Sequence, residues 1–360
     1  MIFAEQRKST ILRSLAKAMI EISIIIPSFN HDKYIEAAID SVINQSIEDW
    51  ELIIVDDGSS DNSLETIKRF SDPRINLFCQ DNRGAHSAIN LGLREATGKY
   101  LAILNSDDVY HPKRLEHMLQ LFEENPRSHF AGSHIQIINE RGEKLGIKHG
   151  YQDSHPWALV HTEKSFRTAN DLHLALLTEN YLATTSNFIF TRTLFEKVGE
   201  FRPLRYSHDW DFALRASETT PFLLVPEALL QYRIHQSNTI KENPSAMIFE
   251  ICWILAMHLP QNVQREGFLY QTSWEERTSQ LLNSIYTYGM ERVLSVLLLQ
   301  NLPDHNEFGL ALLEPTNPVR NVYLNFIRET ISLSELNPEQ VMGFLSKVKT
   351  TLSRKAPLSR

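Results

Sequence analysis

The chain has 360 residues, enough to bury a full core in one large or two ordinary domains, and its hydrophobic fraction of 42% is that of a soluble globular protein. No apolar run approaches the roughly 18 residues that span a bilayer, and the amino end lacks the apolar core of a secretory signal, so neither a membrane-spanning nor an exported protein is indicated. The net charge of −8 argues against a nucleic-acid partner. The chain has only two cysteines, Cys79 and Cys252, which argues against a disulfide framework and a zinc cluster and favours a reducing, cytoplasmic compartment.

Both ends of the chain are basic. Residues 1–20 carry four basic residues and one acidic residue, for a net charge of +3, and residues 341–360 carry five basic residues and no acid, for +5. Apolar residues recur at helical spacing in both segments, so they can lie on an anionic membrane surface and attach the protein peripherally to the inner face of a membrane. The second interpretation is that both are solvated helices covering the protein's own apolar surface.

Beyond residue 20, apolar strands alternate with amphipathic helices. Strands are predicted over 22–26, 50–55, 75–79 and 100–104, and helices over 35–43, 64–70 and 85–96. This alternation predicts an α/β protein with a doubly wound, mostly parallel sheet whose functional site lies at the carboxyl edge of the strands. Residues 146–170 are predicted to form a long loop able to close over that site. Helical patterns at 247–257, 274–299, 319–333 and 338–352 indicate a helical region at the carboxyl end.

Segments that contain polar residues follow three of the predicted strands directly. They are Pro27-Ser28-Phe29-Asn30 after the first strand, Asp56-Asp57 after the second, and Asn105-Ser106-Asp107-Asp108 after the strand at 100–104. Adjacent carboxylates repel each other unless a cation or hydrogen-bond donors compensate, and their oxygens suit Mg²⁺ or Mn²⁺. On its own the last motif favours a turn in which Asp108 precedes a helix begun by Pro112. Because two acidic strand ends meet at one edge, a metal site that holds a diphosphate becomes the preferred interpretation.

These residues resemble the inverting nucleotide-sugar glycosyltransferases of family 2, which have the GT-A fold. The resemblance covers about residues 20–240, and its motifs occur in the family's order and spacing. The matching pieces are Ser23 to Asn30, Val55 to Asp61, Asn82-Arg83-Gly84 with Asn90 and Gly92, Leu104 to Asp108 with Pro112, Val198 to Phe201, His208-Asp209-Trp210-Asp211, and Tyr232 to His235.

The resemblance implies a role for individual residues. Nucleotide contacts are assigned to Pro27, Ser28, Phe29, Asn30, Asp57, Arg83, Asn105 and Ser106, with Arg83 able to bridge to the diphosphate. Metal ligands are assigned to Asp107, Asp108 and His235, with Mn²⁺ or Mg²⁺ as the implied cofactor; helix capping is the alternative for Asp108. Asp209 is assigned as the catalytic base, with an N-cap carboxylate as the alternative. Asn105 and His208 each stand where the family commonly has an acid.

We therefore expect a GT-A domain over residues 21–240, a basic segment over 1–20 and a helical region over 241–360. The expected activity is metal-assisted transfer of a sugar, with inversion, from a nucleotide sugar to a glycan or lipid-linked acceptor in cell-envelope polysaccharide assembly. UDP is the expected nucleotide. A dinucleotide-dependent oxidoreductase is disfavoured because no Gly-x-Gly-x-x-Gly motif follows the first strand. A non-catalytic nucleotide-sugar or glycan-binding relative is the alternative, since Asn105 and His208 replace acids, whereas the retention of Asp57, Asp107 and Asp209 argues for activity.

Overall fold

The computed structural model describes residues 20–149, 176, 180–236, 238, 242–263 and 305–330. The basic ends, the predicted helices at 274–299 and 338–352, and residues 150–170 of the predicted loop lie outside this part of the chain. In chain order the elements are β1 (Ile22–Ser28), α1 (Ile35–Ile43), β2 (Trp50–Asp56), α2 (Ser63–Ile67), β3 (Ile75–Cys79), α3 (Ala85–Glu95), β4 (Tyr100–Ile103), β5 (Val109–Tyr110), α4 (Arg114–Glu124), β6 (Phe130–Ile138), β7 (Lys144–Lys148), a 3₁₀ turn (Thr185–Asn187), β8 (Ile189–Thr191), α5 (Arg192–Val198), α6 (His208–Ser217), β9 (Phe222–Arg233), α7 (Pro244–Val263), α8 (His305–Ala311) and α9 (Pro318–Thr330).

The chain divides into two compact units. The sheet unit consists of Met1–Ile138, Thr184–Glu200 and Thr219–Arg233, and the helical unit consists of Asn139–Ala183, Phe201–Glu218 and Ile234–Arg360. Residues 201–218, which the sequence assigned to the α/β domain, therefore belong with the helices. The domain boundaries at residues 20 and 240 stay predictions.

The sheet unit has the predicted α/β architecture. Its strands follow the order β3-β2-β1-β4-β8-β6-β9-β5. Strands β1, β2, β3 and β4 are parallel to one another, and β6 is parallel to β9, whereas β8 is antiparallel to β4 and β6, and β5 is antiparallel to β9. The predicted α/β fold class is confirmed, and the half of the sheet beyond β4 is mixed in direction.

Helix α3 packs closely on β1. Strands β1 and β2, which lie in the interior of the sheet, are buried along their whole length, as expected for strands covered on both faces. Gly92 of α3 faces Ile25 of β1, and a Cβ atom on Gly92 would lie 2.5 Å from Ile25 Cγ2. A larger residue would therefore push α3 away from the sheet.

The helical unit has an apolar interior of its own. Phe201 stacks on Phe212 of α6 with ring centroids 4.2 Å apart, and the Trp253 indole N–H of α7 donates to the Gly309 carbonyl of α8 at 2.7 Å. Helices α7 and α9 agree with the helical patterns predicted near 247–257 and 319–333. Within the described residues, every helix is too short or too polar to cross a bilayer.

Candidate active site

The carboxyl ends of three parallel strands form one edge of the sheet unit. β1 lies between β2 and β4, pairing Ser28 with Asp56 on one side and Ile25 with Ile103 on the other. The chain leaves β1 toward β2 and β3 and returns to β4 on the opposite side. The strand order thus reverses at β1, which is where open α/β sheets bind ligands.

The loops after β1 and β2 are held together by hydrogen bonds. Asn30 adopts a left-handed conformation (φ 52°), which asparagine tolerates better than most residues. Its backbone N–H donates to Ser59 Oγ at 3.0 Å, and its side-chain oxygen accepts from the Ser60 N–H at 2.8 Å. Ser28 is buried, and within the described residues its hydroxyl has no hydrogen-bond partner, while Phe29 is 38% exposed. This loop therefore presents an aromatic side chain on a fixed backbone.

Asp57 is the acceptor for three donors from the segment that follows β3. Its carboxylate accepts from the Gln80 side chain at 2.6 Å and from the backbone N–H groups of Arg83 and Gly84 at 2.9 and 2.8 Å. Gly84 has φ 90° and precedes α3, a conformation that disfavours residues with a side chain. Asp57 therefore orders the Arg83 loop, while the Arg83 side chain is exposed.

The side chains of Asn105 and Ser106 are both engaged by other loops of the sheet unit. The Asn105 amide donates to Thr184 Oγ1 at 3.0 Å, and its side-chain oxygen accepts from the Thr185 hydroxyl at 2.9 Å. Ser106 Oγ lies 2.7 Å from His31 Nδ1. Asn105, which stands where the family commonly has an acid, thus has both ends of its side-chain amide hydrogen-bonded. These hydrogen bonds fix the backbone that carries Asp107.

The adjacent carboxyl groups of Asp107 and Asp108 have different surroundings. Asp108 is fully buried, and its two oxygens accept from the Arg233 N–H at 2.9 Å and from the Ser186 hydroxyl. Burial, together with the neighbouring charge of Asp107, holds the pKa of Asp108 well above its usual range. Asp107 is half-buried, and its carbonyl oxygen accepts from Arg233 Nε at 2.8 Å. Asp108 thus joins the end of β4 to the end of β9.

A histidine that the sequence did not single out lies beside Asp107. One possible ligand atom of His31 and one of Asp107 are within 4.8 Å of each other. The hydrogen bond with the Ser106 hydroxyl orients the His31 ring. A carboxylate oxygen beside an imidazole nitrogen fits Mn²⁺ better than Mg²⁺. The only signal in the sequence was the position of His31, directly after the polar end of β1.

The helical unit contains Asp209, the second residue of α6. Asp209 is 8% exposed; its Oδ1 accepts from the Trp210 N–H at 2.7 Å, and its Oδ2 accepts from the Asn180 amide at 3.0 Å. Burial raises the pKa of Asp209 to about 6 against the opposing effect of these hydrogen bonds. Such a carboxylate is ionised at neutral pH and is a stronger base than an exposed one. The N-cap position belongs to Ser207, and burial keeps the neighbouring His208 neutral by lowering its pKa.

Asp211, two residues further along α6, has the opposite electrostatic environment. It is fully buried and accepts from Arg202 Nη1 at 2.8 Å, Arg215 Nε at 2.9 Å and His258 Nε2 at 3.1 Å. Burial alone would raise the pKa of Asp211, but the charge of Arg215 and these other partners outweigh it and hold the pKa well below its usual range. Asp211 is therefore a poor base.

His235, the remaining predicted ligand, follows β9 by two residues and belongs to the helical unit. It is buried, and its backbone N–H donates to Asn238 Oδ1 at 2.6 Å. Its role as a ligand stays a prediction, as do the predicted roles of the other site residues toward nucleotide, metal and acceptor.

The sheet, with carboxylates and a histidine at the point where its strand order reverses, defines the chain as an α/β protein, a class whose ligands bind at the carboxyl edge. Sequence comparison then identifies the family, because a sequence model described as glycosyl transferase family 2 matches residues 23–199. The chain belongs to this family of glycosyltransferase enzymes, as its sequence motifs predicted.

Individual relatives agree with this assignment. The uncharacterized glycosyltransferase RP339 of Rickettsia prowazekii is 32% identical over 225 residues, which are 61% of this chain and 65% of that protein. The chain thus spans less than two thirds of this relative. The Escherichia coli protein WfgD, a UDP-Glc:alpha-D-GlcNAc-diphosphoundecaprenol beta-1,3-glucosyltransferase, is 40% identical over 119 residues, 33% of this chain and 47% of WfgD.

Among solved structures, S. aureus TarS 1-349 in complex with UDP-GlcNAc superimposes with a TM-score of 0.56 and 15% sequence identity, covering 93% of this chain and 92% of TarS 1-349. At this identity the likeness concerns the fold alone. It confirms the expected GT-A-like architecture.

Proposed function

We propose that this protein is an inverting glycosyltransferase that moves a sugar from a UDP-sugar to a lipid-linked glycan acceptor with the help of a divalent cation. The observation that carries the proposal is the placement of Asp57 and Asp107 at the ends of β2 and β4, on either side of β1, in a family 2 chain. The name of WfgD, which states a UDP-linked donor and a diphosphoundecaprenol-linked acceptor, supports the choice of both substrates.

The loops around β1 are assigned to the donor nucleotide. Asp57 accepts hydrogen bonds from backbone groups and thereby orders the loop from which Arg83 reaches the diphosphate. Phe29 offers an exposed ring for contact with the nucleotide, and Pro27, Ser28 and Asn30 give the loop its shape. Asn105 and Ser106 line the same edge.

Asp107 is assigned as the carboxylate ligand of the cation, with His31 beside it and His235 as a further candidate ligand. A bound Mn²⁺ or Mg²⁺ would stabilise the negative charge that develops on the departing diphosphate. We assign Asp108 a structural role, linking the ends of β4 and β9, rather than a role as a metal ligand, because protein donors hydrogen-bond to both of its oxygens.

Asp209 is assigned as the general base. The acceptor hydroxyl oxygen forms a bond to the anomeric carbon as the bond from that carbon to the diphosphate oxygen breaks, and the electron pair leaves with UDP. Asp209 takes the hydroxyl proton. A single displacement inverts the anomeric configuration, so an α-linked donor gives a β-linked product.

The test measures UDP release from a panel of UDP-sugars with Mn²⁺, with and without a diphosphoundecaprenol-linked GlcNAc acceptor. The expected result is acceptor-dependent UDP release that EDTA abolishes and Mn²⁺ restores, with a β-linked product identified by NMR. Tight binding of UDP-sugars without release would favour the non-catalytic binding relative. A product that retains the donor configuration would reject the single displacement.

A further inference from the structure

Helix α7 carries two buried ionisable side chains in an apolar stretch. Glu250 and His258 are each only 3% exposed, and their neighbours Phe249, Trp253, Ile254 and Leu255 are buried apolar residues. Burying ionisable groups is costly unless each is hydrogen-bonded, so their partners indicate what these residues do. Both residues contact the segment that carries Asp209.

Glu250 holds the backbone immediately before α6. Its Oε1 accepts from the Arg205 N–H at 2.8 Å, and its Oε2 accepts from the N–H groups of Tyr206 and Ser207 at 2.7 and 3.0 Å. Three hydrogen bonds from consecutive backbone amides to one carboxyl group fix the path of the chain. Asp209 lies two residues after the last of these amides.

His258 holds α6 itself. Its Nε2 lies 3.1 Å from Asp211 Oδ1, and its Nδ1 lies 3.7 Å from Glu218 Oε1 at the end of α6. Burial alone would lower the pKa of His258, but the hydrogen bond with Asp211 and the charges of Asp211 and Glu218 outweigh burial and raise it. Eight residues, or about 12 Å of helix, separate Glu250 from His258. Contacts at two separated points fix the orientation of α6 as well as its position.

We propose that Glu250 and His258 are positioning residues for glycosyl transfer, which set the location of the Asp209 carboxylate by holding residues 205–218 against α7. The proposal rests on the proposed function, in which Asp209 is the base. It gives the helical region a catalytic role: α7, which lies outside the part of the chain that the family 2 model matches, sets the position of the general base.

The test uses the full chain and two pairs of variants. Glu250→Gln turns one carboxylate oxygen into a donor that faces a backbone N–H. Its matched control is Glu242→Gln, since Glu242 pairs with the Arg205 side chain at 2.7 Å but lies on the surface. His258→Leu removes the hydrogen bond to Asp211, whereas His258→Gln can still donate one. Each variant is assayed for kcat, for UDP affinity with Mn²⁺, for the pH dependence of kcat and for amide hydrogen exchange at residues 205–207.

We expect Glu250→Gln and His258→Leu to lower kcat about 10- to 100-fold, because small displacements of a catalytic group cost that much, with UDP affinity changed less than twofold. The acid limb of the pH profile should move to lower pH as water reaches Asp209. Exchange at 205–207 should quicken in Glu250→Gln but not in Glu242→Gln, and His258→Gln should retain most of the wild-type kcat.

Two outcomes would overturn the proposal, and they are distinguishable. If the wild type turns over while Glu250→Gln and His258→Leu lose thermal stability but keep kcat and the acid limb at 25 °C, the residues serve folding only, and the proposed function still stands. If the wild type releases no UDP with any donor and acceptor, the proposed function fails and takes the positioning role with it.

Discussion

Replacing Asp209 with asparagine should make the protein more stable and less active. The carboxyl has a pKa of about 6 in the folded protein and 3.8 as its ordinary value. At about 1.4 kcal/mol per pH unit, keeping this buried group ionised at neutral pH costs the folded state roughly 3 kcal/mol. Asparagine removes that cost, although it places an amide where one oxygen accepts a hydrogen bond. We therefore expect Asp209→Asn to raise the free energy of unfolding at pH 7 by about 1–3 kcal/mol.

The sign of the pH dependence follows from the raised pKa. The folded state binds the Asp209 proton more tightly than the unfolded chain does, so protonation of Asp209 stabilises the folded state. This stabilisation is complete below about pH 4 and is lost as the pH rises through about 6. Wild type and Asp209→Asn should thus differ little in this contribution at pH 4 and most above pH 6. Turnover should fall about 10²–10⁴-fold in the variant, the range for general-base catalysis, and wild-type kcat should decline below about pH 6.

Urea unfolding at several pH values, with UDP release at pH 7.5, measures both effects. Asp211→Asn is the matched control, because Asp211 lies two residues away and is also buried but is held by Arg202 and Arg215. Its loss leaves those cations without their partner and should lower stability by about 3–5 kcal/mol. If Asp209→Asn proves less stable than the wild type at pH 7, the conclusion that the ionised Asp209 carboxylate destabilises the folded protein is wrong. If its turnover is near normal, the base is another residue.

Three further predictions concern the donor site and the chain end. Asp107→Asn should weaken Mn²⁺-dependent UDP binding at least 10-fold with little change in melting temperature, and calorimetry showing unchanged affinity would contradict its role as a ligand. Asp57→Asn should set an amide against one of the donors Gln80, Arg83 or Gly84, lowering stability by about 1–3 kcal/mol and weakening UDP binding, with urea unfolding and calorimetry as the measurements. Removing residues 341–360 should reduce sedimentation with anionic vesicles at low salt, and an intact chain that ignores such vesicles would refute membrane attachment.

The acidic edge could be predicted from the sequence because its causes are local. A run such as residues 50–55, in which every residue except Glu51 is apolar, is typical of a buried parallel strand, and polar residues directly after it must lie at the sheet edge. The antiparallel strand β8 could not be predicted in this way. It has only three residues, Ile189–Thr191, and its direction depends on pairing with Ala102 and Ala131 far away in the chain.

The partners of buried charges were also beyond prediction from sequence. Arg114 belongs to an amphipathic helix, where an arginine is normally solvated, yet it is 1% exposed and donates to Ser133 Oγ at 2.8 Å. Glu250 and His258 look like interruptions of an apolar helix until their partners in residues 205–218 are known. Each contact joins residues that are 19 to 47 positions apart in the sequence. Local propensity and hydrophobic periodicity cannot predict such a pairing.

The His208-Asp209-Trp210-Asp211 motif shows how one short sequence separates two acids by helix geometry. Residues i and i+2 of an α-helix point about 200° apart around the axis, so Asp209 and Asp211 cannot face the same surroundings. Asp209 faces the neutral amide of Asn180, and burial raises its pKa to about 6, whereas Asp211 faces two arginines and His258, which lower its pKa. A general base needs the neutral environment of Asp209, which raises the pKa. A structural anchor needs the cationic environment of Asp211, which keeps the carboxylate ionised and paired. The spacing of the two aspartates therefore lets α6 be held firmly through one carboxylate while the other keeps the basicity that proton transfer requires.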